Sequence, residues 1–272
     1  MMVLPRSTKL SFTSKSGLKV NLSKPLTIVG GATTTLLVDF DVNDSFVLRG
    51  NTIMQNGLLF KPVINGTIVD AATVNANVRL ANAMDVALDL RQGTSVVSGG
   101  SNLAFAGVSS CTSVNATTPG LGIALTGTTT NLSGFAPTLV AGNSYTFVAF
   151  GTSASPTFVT LANTFTPASG QAGFRVFNAT GGATAIDAFV TPLAAVLAAP
   201  ATVSGAVSGT ATAFVSVPAG SQQIRLTSTG LLTPLLLDVG SQTLTAGTNY
   251  TLVIAPPASG STTLRAFLAP GC

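Results

Sequence analysis

Apolar and polar residues follow one another in short runs along almost the whole chain. Gly, Pro, Ser or Asn interrupts them every five to ten residues. Runs such as Asn77–Asn82 (NVRLAN), Gly173–Asn178 (GFRVFN), Thr157–Leu161 and Thr262–Leu268 are rich in Val, Phe, Leu and Thr and bounded by turn residues. That pattern predicts β-strands, because β-branched and aromatic side chains fit a pleated surface and the punctuating residues fit turns.

The runs repeat. Arg79 in the first of them aligns with Arg175 in the second, an offset of 96 residues. Leu139–Gly151 (LVAGNSYTFVAFG) aligns with Leu244–Pro256 (LTAGTNYTLVIAP), and Gly142 with Gly247, an offset of 105. The drift places extra loop residues in the second copy. A period near one hundred is too long for a solenoid unit and fits whole domains in series. Each copy offers about seven strand-like runs, the pattern of an immunoglobulin-sized sandwich. The expected fold is therefore all-β: tandem immunoglobulin-like or transthyretin-like β-sandwiches over residues 73–168 and 169–272, joined near Pro167–Gly170. A further β segment over residues 1–72 precedes them.

Three pairs of polar residues keep their place in both copies: Arg79 and Arg175, Asp89 and Asp187, Tyr145 and Tyr250. Each Tyr stands three residues after an Ala-Gly turn, where a ring packs inward and its hydroxyl meets nearby backbone. Arg79 with Asp89, and Arg175 with Asp187, are expected to form a structural ion pair or strand-to-turn bond in each copy. A repeated ligand site is the alternative.

Composition supports this and narrows the chemistry. Charged residues are 7% of the chain and hydrophobic ones 46%, against roughly 25% charged in an average soluble protein. The sequence has no Glu, His or Trp. Polar positions fall instead to Thr, Ser, Asn and Gly. The 12 basic and 8 acidic residues give a net charge of +4, but the basic residues after Lys61 stand singly. A nucleic-acid footprint needs them clustered, so no nucleic-acid partner is expected. Pro192–Ala201 is too short and too proline-rich to span a membrane, so no transmembrane segment is expected either. Without His there is no Ser-His or Cys-His dyad, and the chain carries no phosphate loop or cysteine-rich metal box. No enzyme activity and no cofactor are expected. Cys111 and Cys272 are the two cysteines, and sequence leaves open whether they pair or stay free.

Residues 1–70 differ from the rest. All five lysines lie there. Strand-like runs cover Leu18–Leu22, Thr34–Phe40, Ser45–Arg49 and Leu58–Ile64, and Asn56-Gly57 is a hairpin signal. On a strand, Asp39, Asp41 and Asn43 share one face, a candidate for a shallow calcium site. The bland reading is a polar strand face entering a turn. The first residues, MMVLPRSTKLSF, hold no apolar signal-peptide core. We expect that the chain lacks its natural beginning.

Each copy resembles the bacterial domain of unknown function 4397. The matching pieces are Val78–Ala83 (VRLANA), Phe174–Ala179 (FRVFNA), Leu88-Asp89-Leu90, Ile186-Asp187-Ala188 and the two Ala-Gly-x-x-Tyr-Thr stretches. That family usually has His where this chain has Asn82 and Asn178, so a binding role resting on that His has no carrier here. Residues 10–70 resemble the C-terminal half of the domain of unknown function 4382. They do so through Ser16–Leu22 (SGLKVNL), Leu36–Asn51 (LLVDFDVNDSFVLRGN) and Gly57–Ile64 (GLLFKPVI). Both resemblances imply envelope or secreted β-domains, often on lipoproteins, and neither brings an activity. The expected function is a non-catalytic structural or adhesive module, extracellular or in the bacterial cell envelope. Its expected partners are other envelope or extracellular proteins, polysaccharide, or further copies of itself. The alternatives are a carbohydrate- or polymer-binding module, which the lack of Trp disfavours, and a fibre subunit assembled by strand addition.

Overall fold

The fold is that of a computed structural model. It describes residues 74–272 throughout and, before them, residues 2–3, 20–22, 27–28, 35–41, 45–48, 58–60 and 63–69. Among the described residues the named elements are β-strands, and Ser45 alone is helical. The chain divides into two units, Met1–Val74 and Asn75–Cys272.

The first unit holds β1 (Met2–Val3), β2 (Val20–Leu22), β3 (Thr27–Ile28), β4 (Thr35–Asp41), β5 (Phe46–Leu48), β6 (Leu58–Phe60) and β7 (Val63–Val69). β4 pairs antiparallel with β7, and β2 adds in parallel to the other edge of β7. β5 and β6 form an antiparallel pair, as do β1 and β3. The run expected over Leu58–Ile64 is two strands. Pro62 falls between them in sequence, and proline has no N–H to give a ladder. The hairpin signal Asn56-Gly57 lies outside the described residues.

The second unit begins with β8 (Asn75–Asn82), β9 (Leu88–Gln92), β10 (Ser95–Val96), β11 (Thr112–Asn115), β12 (Leu121–Leu125), β13 (Ser144–Thr152) and β14 (Ser155–Ala162). They form two sheets, ordered β11-β8-β13-β14 and β10-β9-β12. The second copy follows with β15 (Gln171–Asn178), β16 (Ile186–Thr191), β17 (Val203–Ala206), β18 (Val215–Pro218), β19 (Gly220–Ser228), β20 (Leu235–Leu244), β21 (Asn249–Ala255) and β22 (Arg265–Pro270). Its sheets are β18-β15-β21-β22 and β17-β16-β19-β20. The second copy thus has one strand more, β20. In each copy the first strand runs parallel to the penultimate one: β8 with β13, β15 with β21. The first two strands lie in opposite sheets, unlike the immunoglobulin arrangement, where they share one. Of the two sandwich types expected, the transthyretin-like description is the one that fits.

Each copy has its own core. Val78, Leu80, Leu88, Leu90, Ile123 and Phe147 fill the first, and Phe174, Val176, Ile224, Leu226 and Leu252 the second. A third core joins Ala81, Ala83, Val148 and Leu161 of the first copy to Phe177, Ala179, Val253, Ala255 and Ala269 of the second. The strand period explains it. Side chains alternate across a strand, so Tyr145, Phe147 and Ala149 of β13 enter the first core, while Val148 between them enters the shared one. β21 divides in the same way, with Tyr250, Leu252 and Ile254 on one side and Val253 and Ala255 on the other. The two four-stranded sheets containing β8 and β15 therefore lie back to back, with the central strands β13, β15 and β21 buried on both faces over most of their length, and four sheets stack in series. The expected boundary near residue 168 falls between β14 and β15, but the copies are not separate bodies on a linker. Small side chains, five of them Ala, let the inner sheets approach closely.

Candidate functional site

Arg79, Arg175 and the disulfide of the second unit meet at this shared face. Arg79 of β8 lies beside Thr146 of β13, and Arg175 of β15 beside Thr251 of β21. Both arginines point away from their own core toward the other copy. Arg79 Nη1 donates to the carbonyl of Pro270 at 2.8 Å, and Arg175 Nη1 to the carbonyl of Ala162 at 2.9 Å. Pro270 is the ladder partner of Tyr250, and Ala162 that of Tyr145. The two carbonyls are therefore the same position in opposite copies. Each arginine grips the last strand of the other copy, an isologous contact of the kind a two-fold dimer makes, here within one chain.

The covers over the two arginines differ. Thr112 pairs with Val78, and Val215 with Phe174. Cys111 and Phe214, each one residue earlier, are therefore equivalent. Cys111 is bonded to Cys272 in a disulfide, Cα–Cα 5.6 Å, that crosses from the first copy to the end of the second. Arg79 donates from Nε to Cys272 Sγ at 3.3 Å and from Nη2 to Cys111 Sγ. On the other side the ring of Phe214 lies 4.2 Å from the Arg175 guanidinium carbon and stacks on Phe165, centroids 5.3 Å apart. Arg175 also donates to Thr251 Oγ1 and Asn163 Oδ1, both at 2.9 Å. Burial pushes the Arg175 guanidinium down to about 10 and lowers that of Arg79 as well. The Arg175 value still leaves that cation charged at neutral pH.

The aspartates do not meet these arginines. Asp89 Oδ1 accepts from the Asn102 backbone N–H at 2.7 Å and from Thr126 Oγ1 at 2.9 Å. Asp187 accepts from the N–H of Gly205 at 2.7 Å and of Gly230 at 2.9 Å. The expected pairs Arg79–Asp89 and Arg175–Asp187 are thus corrected to two separate roles. Between Arg and Asp the chain crosses from the inner sheet to the outer one, so the two stand on opposite sides of their copy's core. The aspartates tie loop backbone, and the arginines join copies. Tyr145 and Tyr250 lie at the corners: their hydroxyls accept from the N–H of Val140 at 2.9 Å and Thr245 at 3.1 Å, each five residues upstream.

Asn82 and Asn178 are fully buried. Asn82 donates to the carbonyls of Val86 and Leu103, and its Oδ1 accepts from Met84 N–H. Asn178 donates to Ala206 and accepts from Thr180. Both amides are occupied in holding loops. Of the calcium candidates, Asp39 is exposed on β4 opposite Asn65. The side chain of Asp41 and all of Asn43 lie outside the described residues. Among the described residues no three acidic, His or Cys side chains gather as metal ligands, and no helix is long and apolar enough to cross a membrane. A depression of about 150 Å³ lies beside the disulfide, lined by Asn163, Gly247, Thr248, Asn249, Gly271 and Cys272. That is well below the 300 Å³ or more of an ordinary ligand pocket.

Sequence reasoning passed over most of what closes this face. Asp85 forms a bidentate bridge to Arg265, whose guanidinium carbon lies 3.9 Å from the Phe105 ring. Phe105 meets Phe267 edge-on, and Phe150 meets Phe177. A signal was present in the sequence. Tyr145–Phe150 (YTFVAF) and Phe174–Phe177 (FRVF) carry large apolar residues on both faces, as strands buried on two sides do.

Residues 74–189 match a family described as a domain of unknown function (DUF4397). The match takes in all seven strands of the first copy and runs on through β15 into β16. It includes Arg79, Asp89, Cys111, Tyr145, Arg175 and Asp187, and both acceptors that Arg175 finds in the first copy. Cys272 and Tyr250 lie beyond it. No curated protein matches the chain.

Proposed function

We propose that the chain is a non-catalytic structural or adhesive module of a bacterial envelope or secreted protein. The observation that carries this reading is the face shared by the two copies, with its apolar core, its reciprocal arginines and the Cys111–Cys272 disulfide across it. Such a body resists bending between its halves, as a spacer must. A disulfide linking distant parts of a chain is a feature of oxidising compartments, which supports the extracellular assignment. Few charges on the surface leave it suited to close lateral contacts.

Two finer assignments belong to the same reading. Residues 169–272 are a second copy of the DUF4397-like domain, supported by the shared strand order and equivalent hydrogen bonds. Residues 10–70 are the C-terminal half of a 4382-like domain, supported by the sequence stretches given above.

The test measures ligand retention and assembly on the oxidised full chain. The module is expected to bind no glycan above background on an array and to sediment as one species over a hundredfold concentration range. Saturable glycan binding would replace the proposal with a carbohydrate-binding module. Concentration-dependent filaments, lost on deleting residues 1–70, would replace it with a fibre subunit.

A further inference from the structure

We infer that the Cys111–Cys272 disulfide is a thiol–disulfide exchange site, reduced by a dithiol, with Arg79 as the group that stabilises the departing thiolate. Four observations converge on it. Both cysteines are exposed, so a reductant reaches them. The Arg79 guanidinium donates to both sulfurs, while its one oxygen acceptor is the neutral carbonyl of Pro270. Among the described residues no carboxylate pairs with Arg79; the ion pair found there is Arg265 with Asp85. The depression beside Cys272 gives an approach to that sulfur.

The equivalent arginine of the other copy has no sulfur before it. At the equivalent place Arg175 faces the Phe214 ring and oxygen acceptors. Arg79 instead faces sulfur, a poor acceptor while disulfide-bonded and a good one as thiolate. A half-buried cation that pairs with no carboxylate among the described residues gains a counter-ion when the bond is reduced. A neighbouring cation depresses a thiol pKa from about 8.5, and a leaving group of lower pKa leaves faster. Among the described side chains Arg79 is the cation that touches the disulfide. Asn163 beside it holds the Arg175 guanidinium, and Asn249, Pro270 and Gly271 carry no side-chain charge.

The step balances as ordinary exchange. A thiolate of the dithiol attacks Cys272 Sγ, the S–S bond breaks, and Cys111 departs as a thiolate beside Arg79. The second thiol of the reductant then attacks the mixed disulfide and releases Cys272. Two electrons pass to the protein, and the reductant closes to its own disulfide. Reduction removes the covalent tie between the copies while leaving their apolar face in place.

The test uses the full chain. In the reduced protein, thiolate absorbance at 240 nm should show one cysteine titrating below about 8.5, and Arg79→Gln should move it back up. Reduction of the oxidised chain by dithiothreitol at pH 7 should slow about tenfold in Arg79→Gln, as expected for a leaving thiol whose pKa rises by one to two units. Glutathione should leave its mixed disulfide on Cys272, read by mass spectrometry. Two thiols titrating at or above about 8.5 in the wild-type chain would overturn the proposal, as would an adduct on Cys111. Should Arg79→Gln fail to fold, the wild-type titration and the adduct position decide.

Discussion

Arg79 and Arg175 occupy the same place in two copies of one sandwich, and their difference separates what the fold requires from what it tolerates. Both stand on the inner sheet, and both reach the same backbone carbonyl of the opposite copy. That much is imposed by the face-to-face packing, since a guanidinium there must find an acceptor or leave a buried charge unsatisfied. The cover is free to vary. A disulfide closes one end and a stacked pair of phenylalanines the other. Arg175 is buried with a full set of oxygen and π partners, whereas Arg79 is partly exposed with one oxygen and two sulfurs. The first is built as a structural tie, and the second keeps a charge in reserve beside a reactive bond.

Substitutions at this face test that comparison. The largest effect is expected from Cys111→Ser with Cys272→Ser. The bond closes a loop with a sequence separation of 161 residues, which chain entropy values at about 5 kcal/mol. Guanidinium denaturation of the oxidised and doubly substituted chains measures it, and a loss under about 1 kcal/mol would mean that the covalent cover adds little to the packing it spans. Phe177→Ala comes next, at about 4 kcal/mol, because the side chain is fully buried in the shared core. A loss as small as a surface change would show that the copies do not depend on one another.

Arg175→Met should cost about 3 kcal/mol and Arg79→Met about half of that, in proportion to the charge-assisted bonds each gives up. Equal losses would erase the distinction between the two ends. Tyr145→Phe and Tyr250→Phe should each cost about 1 kcal/mol, since each leaves one backbone N–H without its acceptor. A clear inequality between them would break the equivalence of the copies. The smallest effect is expected from Asp85→Asn. Its partner Arg265 is largely covered, but Asp85 itself is exposed, so the loss should stay below about 1 kcal/mol and shrink further in salt.

Much of the fold was legible in the chain. Strand-sized runs, turn residues and a period near one hundred gave an all-β tandem repeat, and Tyr145 and Tyr250 were readable as corner residues because a corner is built from neighbours in sequence. The arginines were found but matched with the wrong partners. Asp89 is ten residues from Arg79, and sequence proximity suggested a pair, yet the intervening turn carries the aspartate to the other sheet. The true acceptors, Pro270 and Ala162, belong to the opposite copy. Phe214 and Cys111 could not be recognised as counterparts, since nothing in their chemistry is alike. Their equivalence is a matter of ladder register.

By itself the sequence determined the local alternation, the turns, the repeat and the absence of the residue types on which common catalytic dyads depend. Those follow from steric and solvation preferences acting over a few residues. Only the tertiary structure decided that the copies lie back to back, that their inner strands are buried on both faces, and that Arg79 meets a disulfide where Arg175 meets a ring. Such facts depend on which surfaces meet across a hundred residues or more, and that choice is made by the packing of whole sheets rather than by any single run of side chains.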